Sequence, residues 1–164
     1  MTLDVLSKAG QETVRDEALA ASLWESHNAG WSYASTPKAR ASAVDAVLIQ
    51  DGSLVGAIVE TKCRYDLGYS KFFSVFRGEW LMTLSKVTRC AEVSRLLCVP
   101  FYGFLYLSAE DLLLTQRITN SSGQIVVPYR VDSTETQAGV NGGTARRDNA
   151  FIDMSSAKVL RRIS

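Results

Sequence analysis

Two short apolar segments joined by a tight turn constrain the fold of this chain most strongly. Residues 43–50 and 54–62 are rich in Val, Ile, Leu and Ala, and the Asp51-Gly52 pair between them is typical of a hairpin turn. Both segments are almost continuously apolar and do not alternate between apolar and polar residues. Because such strands are typical of a sheet covered on both faces, we expect packing layers on either side of this hairpin.

The segments on either side of the hairpin predict an α/β architecture. Residues 11–29 combine strong helix formers with apolar residues at helical spacing, and Gly30 is a natural stop, so this stretch predicts a helix. Residues 74–97 predict a second helix that ends before Val99-Pro100. The apolar residues 101–107 predict a third strand. A strand, a long helix and a short apolar strand together indicate a βαβ crossover.

The remaining segments give weaker signals. The polar residues 32–42 predict a loop or an irregular edge, and residues 63–73 predict another loop. Residues 111–118 fit either a short helix or a strand. Three predictions concern the last forty residues: an edge strand at 124–130, because Pro128 cannot donate to a ladder, a mobile loop at 132–149, and a short strand at 151–154 before a basic tail.

Composition narrows the possible functions. The chain has 164 residues, which suits one domain, and a net charge of +1, which gives no global argument for nucleic acid. No apolar run approaches the roughly 20 residues that span a bilayer. The first residues lack the features of a signal peptide, so we expect a cytoplasmic protein that does not contact membranes. Cys63, Cys90 and Cys98 are expected to be reduced thiols, and the single His27 offers little for zinc or nucleophilic chemistry.

Three charged residues of the hairpin, Asp45, Glu60 and Lys62, form a candidate active site. Side chains alternate along a strand, so Glu60 and Lys62 point to the same face, about 6–7 Å apart. The Asp51-Gly52 turn brings Asp45 within reach of Glu60, allowing for a slip of a residue or two. Two close carboxylates repel each other unless a divalent cation joins them, and oxygen ligands suit Mg²⁺ or Mn²⁺. A neighbouring lysine can position or activate water and stabilise charge on a phosphate. An Asp and a Glu-x-Lys triplet at strand ends are also common as solvated edges.

The order of these elements resembles the PD-(D/E)xK nuclease superfamily. The stretch from Val44 to Arg64 is similar to the active-site hairpin of archaeal Holliday-junction resolvases and related small nucleases. The resemblance covers about residues 11–107 of a single nuclease domain at 1–164, and 108–164 would add strands, a loop and the basic tail. It implies a restriction-endonuclease-like αβββαβ core with a central mixed sheet flanked by helices. Val44 stands where the name-giving motif has Pro, as in many members.

The resemblance also implies roles for the hairpin residues. Asp45, Glu60 and the main-chain carbonyl of Thr61 would bind the metal, Mg²⁺ or Mn²⁺, and Lys62 corresponds to the family lysine. The implied activity is a Mg²⁺-dependent DNA endonuclease that uses metal-activated water. A neutral chain with few base-reading motifs favours branched, nicked or flapped DNA over sequence-specific sites. A phage or mobile-element enzyme and a homodimer are further expectations from the family.

Many members of this superfamily add a glutamate from the first helix. The candidates here are Glu17, Glu12 and Glu25. We favour Glu17 for its distance to the hairpin and for its small neighbours Ala18 and Ala21. Each of the three would otherwise be a solvated helix charge.

Further polar residues are candidates for contacts with DNA. Ser35, Lys38 and Arg40 precede the hairpin and could touch the backbone of bound DNA. Lys86 and Glu79 lie on the second predicted helix, which flanks the active site in this superfamily. Lys86 fits either a phosphate contact or a solvated lysine. Core packing or a dimer contact is favoured over base stacking for an aromatic cluster after the second strand: Tyr65, Tyr69, Phe72, Phe73 and Phe76.

Two other functions compete with the nuclease. One is a non-catalytic module that keeps the nuclease fold as a DNA-binding or assembly platform. The other is an unrelated α/β domain whose hairpin mimics the motif by chance. Intact Asp45, Glu60 and Lys62 favour the enzyme over the platform, and a missing parallel crossover beside the hairpin would favour the chance mimic.

Overall fold

The structure, a computed structural model, describes residues 8–38, 40–137 and 143–162. These ranges hold three α-helices: α1 (Lys8–Ser26), α2 (Tyr69–Ser74) and α3 (Leu84–Leu97). They also hold nine strands: β1 (Trp31–Ser35), β2 (Ala46–Gln50), β3 (Leu54–Arg64), β4 (Glu79–Thr83), β5 (Phe101–Leu107), β6 (Leu112–Arg117), β7 (Tyr129–Gln137), β8 (Thr144–Asp153) and β9 (Lys158–Arg161). No helix within the described ranges is long and apolar enough to cross a membrane.

The strands form two sheets, and the larger one is mixed. Its six strands are ordered β1-β2-β3-β5-β6-β9, and the smaller sheet is ordered β4-β8-β7. In the larger sheet β3 and β5 run parallel, from Ile58 opposite Phe101 to Arg64 opposite Leu107. The other neighbours are antiparallel. The α/β architecture and the crossover from β3 through α3 to β5 are therefore confirmed.

Both faces of the larger sheet are covered, as the apolar hairpin predicts. On one face Leu23 and Trp24 of α1 belong to a buried cluster with Val59 and Phe104. The other face belongs to a second cluster, in which α3 and the smaller sheet take part. The central strand β3 therefore contributes side chains to both cores, which explains why its sequence does not alternate.

The helix predicted for residues 74–97 is wrong over its first half. Residues 79–83 form β4, and α3 begins only at Leu84. Trp80 and Met82 are buried, whereas Glu79, Leu81 and Thr83 are half-buried, and this period of two fits a strand. Pairing of β4 with β8 thus overrides the local helix propensity. The loop predicted for 63–73 contains the end of β3 and most of the short helix α2.

The C-terminal predictions need larger corrections. The ambiguous segment 111–118 is a strand, β6, but the edge strand predicted for 124–130 is wrong, since β7 starts only at Tyr129. Most of the loop predicted for 132–149 is the β7–β8 hairpin, and residues 138–142 lie outside the described residues. The strand predicted for 151–154 belongs to the end of β8. Polar strands of a three-stranded sheet give little hydrophobic signal, because most of their side chains face solvent.

Two shorter segments also differ from expectation. The polar stretch predicted as loop or irregular edge begins with β1, which is an edge strand of the larger sheet. The basic tail contains β9, the strand at the opposite edge, where Leu160 is buried. Both edges of the larger sheet thus come from segments that are too short and too polar to be recognised as strands.

We predict that Gly103→Ala destabilises the fold by about 1–3 kcal/mol, because a methyl group there would overlap the indole of Trp80 and crowd Ile118. Gly103 lies beside Glu60 in the parallel register, so the change loosens the layer that covers this part of the sheet. The measurement is urea unfolding of the variant against wild type. Gly68→Ala is the matched control, because its methyl group would meet only the flexible end of Glu110. An equal loss in both variants would contradict the packing argument.

Candidate metal centre

Asp45 and Glu60 meet at the open end of the β2–β3 hairpin. Ala46 pairs with Val59, so the register extended by one residue places Asp45 opposite Glu60. The Asp45 backbone N–H donates to the Val59 carbonyl at 3.0 Å. In turn the Thr61 backbone N–H donates to Asp45 Oδ2 at 2.9 Å. The sequence-based expectation that these two acids are neighbours is confirmed.

Strand β3 distributes its last side chains over the two faces of the sheet. Ile58 packs in the core on the α3 side and Val59 in the core on the α1 side. Alternation therefore sends Glu60 and Lys62 towards α3, and Thr61 towards α1. Lys62 is half-buried, and it takes part in no ion pair among the residues that the structure describes.

Helix α1 contributes Glu17, which is only 7% exposed. Glu17 Oε1 accepts hydrogen bonds from the Tyr33 hydroxyl at 3.1 Å and from Ser35 Oγ at 3.4 Å. The Tyr33 hydroxyl also lies 2.9 Å from Thr61 Oγ1. Tyr33 thus joins helix α1 to strand β3. Burial and the Glu17 carboxylate raise the pKa of the Tyr33 hydroxyl far above its usual value, so it stays protonated as a donor.

Of the three glutamates proposed on the first helix, the structure brings Glu17 to the hairpin. Glu25 is exposed and accepts a hydrogen bond from the Tyr33 backbone N–H. Glu12 is half-buried and forms no ion pair within the described part of the chain. The preference for Glu17 over Glu12 and Glu25 therefore agrees with the geometry.

Two lysines pair with these carboxylates. Lys38 Nζ lies 2.8 Å from Glu17 Oε2 and 3.8 Å from Asp45 Oδ1. On the opposite face Lys86 Nζ lies 2.9 Å from Glu60 Oε2. Both side chains are about three-quarters buried. The interpretation of Lys86 as a solvated lysine is therefore wrong, because α3 directs it at the Glu60 carboxylate.

Burial dominates the electrostatics of Glu60, which is 6% exposed. Desolvation, followed by the nearby Asp45 carboxylate, raises the pKa of Glu60 to about 7. Lys86 and, more weakly, Lys62 oppose this increase. Burial lowers the pKa of the Lys86 ammonium, but the Glu60 carboxylate more than offsets it, so the Lys86 pKa lies above its usual value.

Other candidates lie at the rim or away from the centre. Arg40 and Ser35 are exposed on the β1–β2 side of the site. Glu79 does not flank the site as predicted: it lies on β4, where Arg130 forms a bidentate ion pair with it. In the aromatic cluster, core packing is confirmed for Phe72, and Tyr69 and Phe73 pack against the same core, whereas Tyr65 and Phe76 are exposed.

The carboxylate oxygens of Asp45, Glu60 and Glu17 are donors of the kind that bind hard divalent cations. Within the described ranges, no group of three or more His, Cys, Asp or Glu side chains lies close enough together to hold a metal ion. Glu17 and Asp45 nevertheless share one cation already, the Lys38 ammonium. Carboxylate oxygens without His or thiolate ligands are the donors that Mg²⁺ and Mn²⁺ prefer.

No family model, no curated protein and no solved structure matches this chain. Inference about its function therefore rests on the chemistry of Asp45, Glu60 and Glu17 and of the lysines around them. Sequence reasoning did not find Tyr33, because the strand that carries it was not recognised. It also gave no sign that Lys38 and Lys86 pair with the acids, since both contacts join elements distant in the sequence.

We predict that the stability of the metal-free chain falls as the pH rises from about 4.5 to about 7. Glu60 has a raised pKa in the folded state, so folding favours its protonated form, and this contribution is lost as the pH passes the folded pKa. The loss amounts to about 3 kcal/mol for a shift of this size. The measurement is urea unfolding across this pH range for wild type and for Glu60→Gln, which cannot ionise there.

The difference between the two proteins isolates Glu60 from the other titrating groups. The Glu60→Gln change also removes the partner of Lys86. Its effect on the free energy of unfolding is constant over this pH range, because Lys86 stays charged. Parallel stability curves for wild type and Glu60→Gln would show that Glu60 titrates near its ordinary value.

Proposed function

We propose that this chain is a Mg²⁺- or Mn²⁺-dependent DNA endonuclease with a restriction-endonuclease-like core. One observation carries the proposal: Asp45, Glu60 and Glu17 come from three separate segments and converge at one end of the sheet, with Lys62 two residues after Glu60. Two of these acids are almost fully buried. Burying several carboxylates together is unfavourable, which supports a role in binding cations.

The order of elements supports the same class. Without α2 and β4, the chain from α1 to β5 reads αβββαβ, the order that the PD-(D/E)xK resemblance implies. Asp45 immediately precedes the second strand, Glu60 lies on the third and Glu17 on α1, and the parallel fourth strand of this core is β5. A missing crossover would have favoured a chance mimic of the motif, and the crossover is present.

The proposed roles follow the positions of the side chains. Asp45, Glu60, Glu17 and the main-chain carbonyl of Thr61 would hold the metal, and a bound Mg²⁺ would supply Lewis-acid activation of water and of a phosphodiester. The Thr61 backbone N–H keeps Asp45 aligned with Glu60. Lys62, on the Glu60 face, orients the attacking water and stabilises negative charge on the phosphate.

The surroundings of the site suit a DNA backbone better than a base sequence. Lys38 and Arg40 lie in the segment before β2, and Lys86 faces the site from α3. Lysine and arginine at such positions contact phosphates, which carry no sequence information. We therefore propose recognition of DNA structure, such as flaps, nicks or junctions, and a homodimer where two strands are cut.

We predict metal-dependent cleavage by wild type and its loss, by at least about 100-fold, in Asp45→Asn and Lys62→Ala. The assay uses labelled linear duplex, single-stranded, flap and four-way-junction DNA with Mg²⁺, Mn²⁺ or EDTA. Lys71→Ala and Asp66→Asn are matched controls, because both side chains are exposed and lie after β3. Absence of cleavage by wild type on every substrate would contradict the proposal.

We predict that Lys86→Met moves the acidic limb of the pH–activity profile to higher pH by about one unit, because loss of its ammonium raises the Glu60 pKa further. Glu60 must be deprotonated to act as a ligand, so the midpoint of this limb reports its pKa. The midpoint of Mn²⁺ binding against pH should move with it. Lys71→Met is the control for loss of a lysine charge. An unchanged midpoint would remove Lys86 from the electrostatics of the site.

A non-catalytic nuclease-fold module is the second candidate. The observation that favours it is the pairing of Lys38 with Glu17 and Lys86 with Glu60, which already compensates these acids without any metal. A platform would bind DNA without cleaving it, and its affinity for DNA would not respond to Mn²⁺. The cleavage assay and a DNA-binding measurement with and without Mn²⁺ together separate the two functions.

A further inference from the structure

The Lys38 ammonium occupies the position of a cation between two of the proposed metal ligands. Its Nζ lies 2.8 Å from Glu17 Oε2 and 3.8 Å from Asp45 Oδ1, and the side chain is 25% exposed. No other described lysine or arginine forms an ion pair with either of these carboxylates. Lys38 therefore compensates part of the negative charge on the α1 side of the site.

This contact opposes the binding of a metal to the same two carboxylates. A divalent cation held by Glu17 and Asp45 would lie within a few ångströms of an ammonium that stayed in place. Like charges at such a distance repel strongly in a partly buried site. We therefore expect Lys38 to move away from the carboxylates when they bind a metal.

The segment that carries Lys38 leaves its side chain room to move. The segment that carries it is anchored at Thr36, whose backbone N–H donates to the Asp45 carbonyl at 2.8 Å and whose Oγ1 bonds the Val44 carbonyl at 2.8 Å. Lys38 follows two residues later with a long side chain, and the exposed Arg40 lies on the same segment. Lys38 is 25% exposed, so its ammonium can turn from the carboxylates towards solvent, where a phosphate would be accessible.

We propose that Lys38 exchanges partners: it pairs with Glu17 and Asp45 in the free protein and with a DNA phosphate when the metal is bound. The proposal rests on the nuclease function given above. Its consequence is positive coupling between metal and DNA, because each ligand removes an obstacle to the other. The site would then bind the metal tightly only when DNA is bound as well.

The first test measures Mn²⁺ binding without DNA, by the loss of the free Mn²⁺ signal in electron paramagnetic resonance. We expect Lys38→Met to bind Mn²⁺ at least about tenfold more tightly than wild type, because a competing positive charge is gone. Lys38→Arg keeps the charge and should stay close to wild type. Arg40→Met removes a cation of the same segment that is exposed, and its Mn²⁺ affinity should not change.

The second test adds DNA and uses the Lys62→Ala background, so that the DNA stays intact. A four-way junction should raise the Mn²⁺ affinity of this protein, and the increase should be about tenfold smaller when Lys38→Met is added. An equal increase in both proteins would overturn the exchange of partners, since the gain would then come from the phosphates alone.

A third measurement needs no substitution and so does not depend on the folding of a variant. Acetylation of the wild-type chain, read by mass spectrometry, should modify Lys38 slowly in the free protein, faster with saturating Mn²⁺ and slowly again when the junction is added. The exposed Lys71 serves as an internal reference. Unchanged Lys38 labelling at Mn²⁺ saturation would overturn the inference even if the enzyme cleaves DNA. Failure of the nuclease itself would appear differently, as absence of both Mn²⁺ binding and cleavage in every variant.

Discussion

Two glutamate side chains are buried at one end of the larger sheet, and the fold has to compensate their charge. Glu17 and Glu60 are 7% and 6% exposed, and a carboxylate taken out of water is unfavourable by several kcal/mol unless a cation or strong hydrogen bonds accompany it. The cations come from two distant elements. Lys38 reaches Glu17 from the segment after β1, and Lys86 reaches Glu60 from α3. The ion pairs with the buried glutamates therefore help to hold the segment after β1 and helix α3 in position.

The pairing of β3 with its neighbours is what makes this arrangement possible. Its antiparallel register with β2 sets Asp45 opposite Glu60, and its parallel register with β5 requires a crossover that carries α3 over one face. The other face belongs to α1. Asp45 stands at the start of β2, where it contacts Thr61 of β3 and Lys38 of the preceding segment. Asp45 and Glu60 thus come from the sheet and Glu17 from the helix layer above it, and the three acids lie near one end of the strands.

The sequence predicts the contacts of this site that lie within the hairpin, but it does not predict the contacts between elements distant in the chain. The hairpin, the shared face of Glu60 and Lys62 and the neighbourhood of Asp45 follow from alternation and from one turn, so they could be derived from about twenty residues. Lys38 and Lys86 could be named only as candidates for phosphate, because their partners are set by the packing of layers. Strand β4 was missed for a related reason, because it pairs with β8 across a long sequence separation. Strand β7 and most of β8 form a hairpin, and they were missed because their own apolar patterns are weak.

Ion pairs buried to this degree are a poor way to stabilise a fold, since apolar residues of similar size often do as well or better. The two cysteines beside the site bear on which kind of metal ion the acids could bind. Burial, followed by the Asp16 and Glu17 carboxylates, raises the pKa of Cys63 to about 12. Burial, followed by the Glu60 carboxylate, raises that of Cys90 to about 12. A thiol must lose its proton to bind a soft metal, so a raised pKa weakens its competition for zinc. The same buried charges that would favour a hard cation on Asp45, Glu17 and Glu60 therefore disfavour the thiolate forms of Cys63 and Cys90.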